Sequence, residues 1–348
     1  MAATAFRPSD LRFLAALLLP AFSLANVVLD PRGAAFAAFL VWLVIASLET
    51  FWPAARRSPP PAGPSALLAW ILRLYVPLQG VLLAAGLWAA HRSEWPTVVG
   101  LALAVGFVTG AQGITFAHEL GHSRHKADRA LGWVLMASVN YTQFMVEHYR
   151  GHHLRAATHD DPASARRGES LWRFLPRTLA GNFLGAWRLE AQRLSRQGRG
   201  WRASPLAWCS ALNLAAAFAL WSFGATKMLA FWLLQSAFAV WLLETVNYIE
   251  HYGLQRRTGA DGRPEPFGVQ HAWNADHVVS NSVLANLQRH SDHHMHAGKR
   301  YPELQALPGP QLPTGYAGCL LLAAIPPWWF RVMEPRLRAG ATPRPASP

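Results

Sequence analysis

Nine of the 15 histidines fall into four tight groups, and their spacing is that of metal ligands. His118 and His122 lie in "HELGH". His148, His152 and His153 lie in "EHYRGHH", His251 in "NYIEHYG", and His290, His293 and His294 in "LQRHSDHH". On a helix, residues three and four apart share a face, so each group can present its imidazoles together. Alone, H-E-x-x-H is the signature of a zinc protease, with the glutamate as general base. One zinc takes four ligands, three of them from protein at a catalytic site, so nine imidazoles are too many. They match two six-coordinate metals with positions left for water or oxygen. Imidazole suits iron as well as zinc and copper, so the pattern predicts a centre held almost entirely by neutral nitrogen.

Each group also carries an acid beside a histidine: Glu119, Glu147, Glu250 and Asp292. A metal-bound imidazole usually gives its other N–H to a carboxylate, which fixes the tautomer. The four acids are expected to orient ligands in this way, and Glu119 is read as an orienting residue rather than a protease's base. Direct ligation by one of them is the alternative. His271, in "HAWN", is expected to support the last group, while His91, His125, His159, His277 and His296 read as surface or loop residues. Cys209 and Cys319 sit in apolar stretches without a CxxC or CxxH context and predict neither a thiolate site nor a disulfide.

These side chains need a frame, and the composition says that it is a membrane. The chain is 52% hydrophobic and 15% charged, against roughly 25% charged in soluble domains. Apolar runs near the spanning length of about 20 residues occur at about 11–29, 34–52, 74–90, 96–117, 205–223 and 228–247. Of the 32 Lys and Arg, only Arg32, Arg92 and Lys227 fall in the three loops on one side. Basic loops stay cytoplasmic, so both termini and the segments 118–204 and 250–348 are expected on the cytoplasmic side. The predicted architecture is an all-α integral membrane protein. It is one domain over 1–348, with about six transmembrane helices and a cytoplasmic histidine-rich region. His118 and His251 then end two spans, and the other groups fold back over them. The net charge of +13 follows from this bias, and it also suits an acidic protein partner. No nucleic-acid-binding motif accompanies it. Residues 53–65 read as a Pro-rich loop, 129–147 as a helix at the membrane boundary, 317–330 as an interfacial helix, and the tail "ATPRPASP" as disordered.

Together, "HELGH", "EHYRGHH", "NYIEHYG" and "LQRHSDHH" resemble the boxes of the membrane-bound non-haem di-iron alkane 1-monooxygenases, within the fatty-acid desaturase and hydroxylase superfamily. "THDDPASARRGESLW" (158–172), "AWNADHVVSNSVLANLQRHSDHH" (272–294) and "RYPELQALPGPQLPTGYAG" (300–318) resemble that family too. The first hundred residues are similar only in hydropathy. The resemblance implies terminal hydroxylation of alkanes to primary alcohols with O2 at two iron ions, in a bacterial inner membrane. It implies electrons from a separate rubredoxin-type protein and its NAD(P)H-dependent reductase, since two cysteines cannot hold a rubredoxin's iron.

Breaking an unactivated C–H bond needs a strong oxidant, and apolar helices around the site would exclude water and admit a hydrocarbon from the bilayer. Gln112, Gly113, Ile114 and Thr115, within two turns before His118, are the expected channel wall. A fatty acyl desaturase or hydroxylase, or an alkylaromatic side-chain monooxygenase, would use the same centre. A membrane zinc metalloprotease is the distant alternative and leaves three of the four groups incidental. A metal transporter would carry polar residues at mid-span, whereas the spans' centres here are apolar.

Overall fold

The computed structural model describes residues 8–52 and 66–341. The Pro-rich loop and, of the C-terminal tail expected to be disordered, residues 342–348 lie outside the described residues; Ala341 ends a helix. Six helices are long and apolar enough to cross a bilayer: Asp10–Leu29, Ala34–Phe51, Leu67–Arg92, Trp95–Gly121, Pro205–Ser222 and Thr226–His251, here spans 1 to 6. Among the described residues there is no β-strand, only two isolated bridges. The third and sixth spans are longer than hydropathy alone indicates. Pro77 is accommodated inside span 3, and span 6 continues past its apolar stretch through Glu244, Asn247 and Glu250 to His251.

Spans 4 and 6 form the centre, while span 5 lies at the periphery. Gly106 and Gly110 allow the central pair to touch backbone to backbone. A Cβ at Gly106 would stand 2.8 Å from the Gln235 carbonyl oxygen, and one at Gly110 would stand 2.6 Å from the Ala239 Cα. Small residues one turn apart are a common way for membrane helices to approach this closely. Directly after Gly106, span 4 widens into a π-helical turn over Thr109–Gly113 before resuming as Ile114–Gly121. Such turns are rare and gather at functional sites.

The histidine-bearing side is closed by shorter helices. Lys126–Ser138 packs on the end of span 4, and the amphipathic helix Leu171–Arg196 lies against span 6. The segment expected at the interface is instead two helices, Tyr316–Ala323 and Pro326–Ala341, broken ahead of Pro326. It is a core element: Tyr316, Cys319 and Ala323 are buried, and Trp329 is fully enclosed. Its tryptophans misled the reading, because Trp328 is exposed while Trp329 packs between Tyr248 and Tyr252.

Glu190 joins the helix Leu171–Arg196 to the start of span 5. It accepts hydrogen bonds from Arg150 (3.0 Å), Arg193 (2.7 Å) and Ser204 (2.8 Å). Burial pushes its carboxyl up, but the hydrogen bonds from Arg193 and Ser204 and the Arg193 charge outweigh burial and hold it at about 2. A folded-state pKa below the ordinary 4.5 gives stability that is present above about pH 4.5 and lost as pH falls toward 2. Acid titration of the detergent-solubilised protein is therefore expected to loosen this joint in that window. Glu190→Gln should lower the neutral-pH melting temperature and flatten that part of the pH profile. An unchanged acid profile in the variant would refute this role.

Candidate metal centre

The nine histidines converge as two adjoining groups. His118, His122, His148, His153 and His293 form one, and His152, His251, His290 and His294 form the other. Within each group the ligand nitrogens lie within 4.8 Å of one another. The Nε2 of His118 is 2.9 Å from that of His293, and His153 Nε2 is 3.0 Å from His148 Nε2 and 3.2 Å from His293 Nε2. In the second group His290 Nε2 stands 2.9 Å from His294 Nε2 and 3.2 Å from His251 Nε2.

Local helix geometry makes this division. The turn His148–His152 is π-helical, so His148 and His153, five residues apart, come onto one side. His152 then points into the second group. Its Nε2 is buried without a protein partner. In the short helix His290–Met295, His290 and His294 are one turn apart and share a group, while His293 faces the other. That helix is held at its start by Asn274, whose Nδ2 donates to Ser291 Oγ (2.7 Å) and whose Oδ1 accepts from the Ser291 amide (2.8 Å).

The donor set fits a transition metal. Burial pushes the His122, His148, His290, His293 and His294 imidazoles well below their ordinary value, and His153 down to about 3. Their ring nitrogens are therefore neutral, as a metal requires. Asp161 Oδ2 lies 2.9 Å from His152 Nδ1, and Glu250 Oε1 lies 3.1 Å from His290 Nδ1. A hydrogen held on His152 Nδ1 by Asp161 leaves its Nε2 lone pair free, and neighbouring Nε2 atoms within the groups stand 2.9–3.2 Å apart, an arrangement that a cation at their centre would stabilise.

The expected supporting acids divide. Glu250 faces a ligand, and Tyr316 donates to it at 2.5 Å. Glu119 instead accepts from the Tyr301 amide (3.1 Å), because a glutamate one residue after His118 points about 100° away from it on a helix. Glu147 pairs with Arg155, and burial pushes its carboxyl up to about 7. Asp292 takes His296 Nδ1 (2.8 Å), Lys299 Nζ (2.6 Å) and the Gln305 amide (2.7 Å), so it closes the turn after the last group. The His271 side chain meets Glu265 and the Gly268 amide, while its backbone reaches the His251 imidazole; it also steadies the loop that stacks Phe267 on His294 at 4.7 Å. Asp161 was missed. The signal was present in "THDDP", but it lies eight residues past the nearest histidine box, with no helical spacing to link them.

A largely apolar cavity runs from the histidines into the spans. His118, His148 and His290 stand at one end, and Leu19, Trp42, Ile45 and Phe107 line it farther along. Ile114 and Thr115 belong to its wall, together with Gly110 and Ala111. Gln112 and Gly113 do not. Gln112 Nε2 donates to the Ala16 and Val283 carbonyls, and a Cβ on Gly113 would meet Gln79 at 2.2 Å. The π turn rotates these two away from the cavity.

Comparison with known proteins points the same way. The fatty acid desaturase family model matches residues 93–320. Alkane 1-monooxygenase 1 of Pseudomonas aeruginosa is 47% identical over 262 residues, covering 74% of this chain and 68% of its own length. Alkane 1-monooxygenase of Pseudomonas putida is 43% identical over 269 residues, 76% of this chain and 67% of its own. The xylene/toluene monooxygenase hydroxylase component of Pseudomonas putida is 28% identical over 250 residues, 71% of this chain and 66% of its own.

Proposed function

Because the chain belongs to the fatty acid desaturase family, and within it to the alkane 1-monooxygenases, we propose that it hydroxylates the terminal carbon of alkanes at a pair of iron ions. The balance is one alkane, one O2, two electrons and two protons, giving one primary alcohol and one water. The observation that carries this reading is the apolar cavity whose histidine end exposes ligands from both groups. A zinc protease needs a polar cleft for a peptide, and most of this wall is aliphatic and aromatic.

The iron pair, when bound, supplies the activation of O2 and the oxidising power to break an unactivated C–H bond. The chain's own residues bind, orient and exclude. Asp161 holds His152 by Nδ1 and so keeps its Nε2 free for metal, while Glu250 stands beside His290 Nδ1. Phe144 stacks on His148 at 4.5 Å and, with Leu242 and Leu287, keeps water from the reacting end. We place the histidine side in the cytoplasm of the bacterial inner membrane, where the basic loops would face a rubredoxin-type donor reduced by its NAD(P)H-dependent reductase.

The test is iron and zinc per chain, measured with products from alkane, fatty acyl and alkylaromatic substrates. About two irons and a 1-alkanol support the reading. One zinc without iron, or a desaturated product, would overturn it.

Cavity length gives a further expectation. Trp42 stacks on Phe107 at 5.6 Å, and Phe107 lies eleven residues before His118, about 16 Å along the helix. Trp42→Leu should deepen the cavity and raise the ratio of long-chain to short-chain turnover by about tenfold. Competition between two alkanes of different length reads that ratio directly, and an unmoved ratio would show that Trp42 does not limit chain length.

A further inference from the structure

Glu244 is a fully buried acid in the last third of span 6, past its apolar stretch, with no ion-pair partner among the described residues. Four neutral donors satisfy it: Tyr141 Oη at 2.5 Å, Thr178 Oγ1 at 2.8 Å, Asn247 Nδ2 at 3.1 Å and Asn182 Nδ2 at 3.3 Å. A carboxylate offers about four lone-pair sites, so the set is complete. It also fixes the Asn247 amide. Turning that amide over would put its oxygen against a Glu244 oxygen, so Nδ2 stays on Glu244 and Oδ1 faces away from it.

Asn247 lines the hydrocarbon cavity three residues before Glu250, beside Phe144 and His148. The other polar side chains of that wall are already committed. Thr115 Oγ1 donates to the Ala111 carbonyl (2.7 Å), Ser280 Oγ to Glu49 (3.0 Å), and Tyr316 to Glu250, which also faces His290. Among the described residues no donor is bonded to Asn247 Oδ1. An acceptor fixed in this way, one helical turn from His251, is a recognition element in an otherwise apolar pocket.

We propose that Asn247 is the hydroxyl-binding residue of the cavity, oriented by Glu244 as a positioning residue, and that the site takes chains ending in one uncharged hydroxyl. This rests on the alkane-hydroxylation reading, since the first such molecule formed there is the product alcohol. The tail lies along the apolar wall and the O–H donates to Oδ1. A terminal carboxylate is refused, because it brings no hydrogen for Oδ1 and would have to be buried beside the Glu244 and Glu250 carboxyl groups with no cation to pair it.

The test compares 1-nonanol with 1-fluorononane, which has the same shape but no donor, as inhibitors of octane hydroxylation by the iron-loaded full chain, with partition into micelles corrected. The wild-type protein should bind the alcohol about three- to tenfold more tightly, the worth of one neutral hydrogen bond. Asn247→Leu should bring that ratio to about one. Glu244→Gln should lower the ratio too, by freeing the amide to turn. A wild-type ratio near one overturns the proposal whether or not the variants fold, and so does a ratio that survives in Asn247→Leu. The rise in melting temperature with each ligand gives the same comparison without turnover. If octane is not hydroxylated at all, the functional reading fails, and the melting comparison still decides the hydroxyl site.

Discussion

Replacing His251 with alanine is expected to abolish alkane hydroxylation, by about a thousandfold or more, and to lower bound iron to one per chain or less. His122→Ala should be milder. The reason lies in the unequal division of ligands: His251 is one of four in its group, whereas His122 is one of five. Four imidazoles remain after the second change, still a full set for a transition metal. Three remain after the first, in a group whose other members already share their helices with the neighbouring site. His251 is also fully buried, so no outside ligand readily replaces it, whereas His122 is only partly covered. Iron per chain and turnover, measured on both variants purified side by side, decide the matter. Equal losses would mean that the two groups are not the working division of the centre, and retained turnover in His251→Ala would remove the di-iron reading.

Asp161→Asn should lower iron affinity and turnover by about 10- to 100-fold without changing the melting temperature much. Burial pushes the Asp161 carboxyl up, but its contacts with His152 and the hydrogen bond from Ser164 outweigh it and hold it below the usual carboxylate range. An ionised Oδ2 at 2.9 Å keeps the hydrogen on His152 Nδ1. An asparagine can turn its amide nitrogen to that position, which moves the hydrogen to Nε2 and blocks the atom meant for metal. Ser164→Ala, which removes only the 2.6 Å bond behind Asp161, should cost a few-fold at most. If Asp161→Asn binds iron as well as the wild type, another group sets the tautomer.

The six spans and the gathering of nine histidines were legible because both depend on local periodicity. Apolar length marks a span, and His-x-x-x-His marks one face of a helix. The division into five and four was not legible. It depends on the π turn at His148–His152, and nothing in "EHYRGHH" distinguishes five residues per hydrogen-bonded ring from four. The same difficulty misplaced Gln112 and Gly113 in the channel wall, since the π turn at Thr109–Gly113 shifts their facing. Adjacency in sequence also misled for the acids. Glu119, Glu147 and Asp292 lie beside histidines in the chain, but they serve Tyr301, Arg155 and the Lys299 turn. Asp161 lies far from a box and meets His152 only through the fold. The buried helix Tyr316–Ala323 resembled an interfacial one because composition does not say which of two neighbouring tryptophans faces inward.

Two pairs of consecutive residues, His152 with His153 and His293 with His294, hand one imidazole to each group. A peptide bond therefore joins the two sites twice, with no flexible linker between them. When an ion orders His153 and His293, it also sets the backbone of His152 and His294, and so removes part of the ordering cost of the second site. Loading should then be cooperative. Ferrous iron added to the metal-free protein should give a sigmoidal curve, with half-loaded chains scarce at every ratio, and chelation should strip both ions almost together. On the di-iron reading, such an enzyme would be either complete or metal-free in the cell, with little of it held in a half-loaded form.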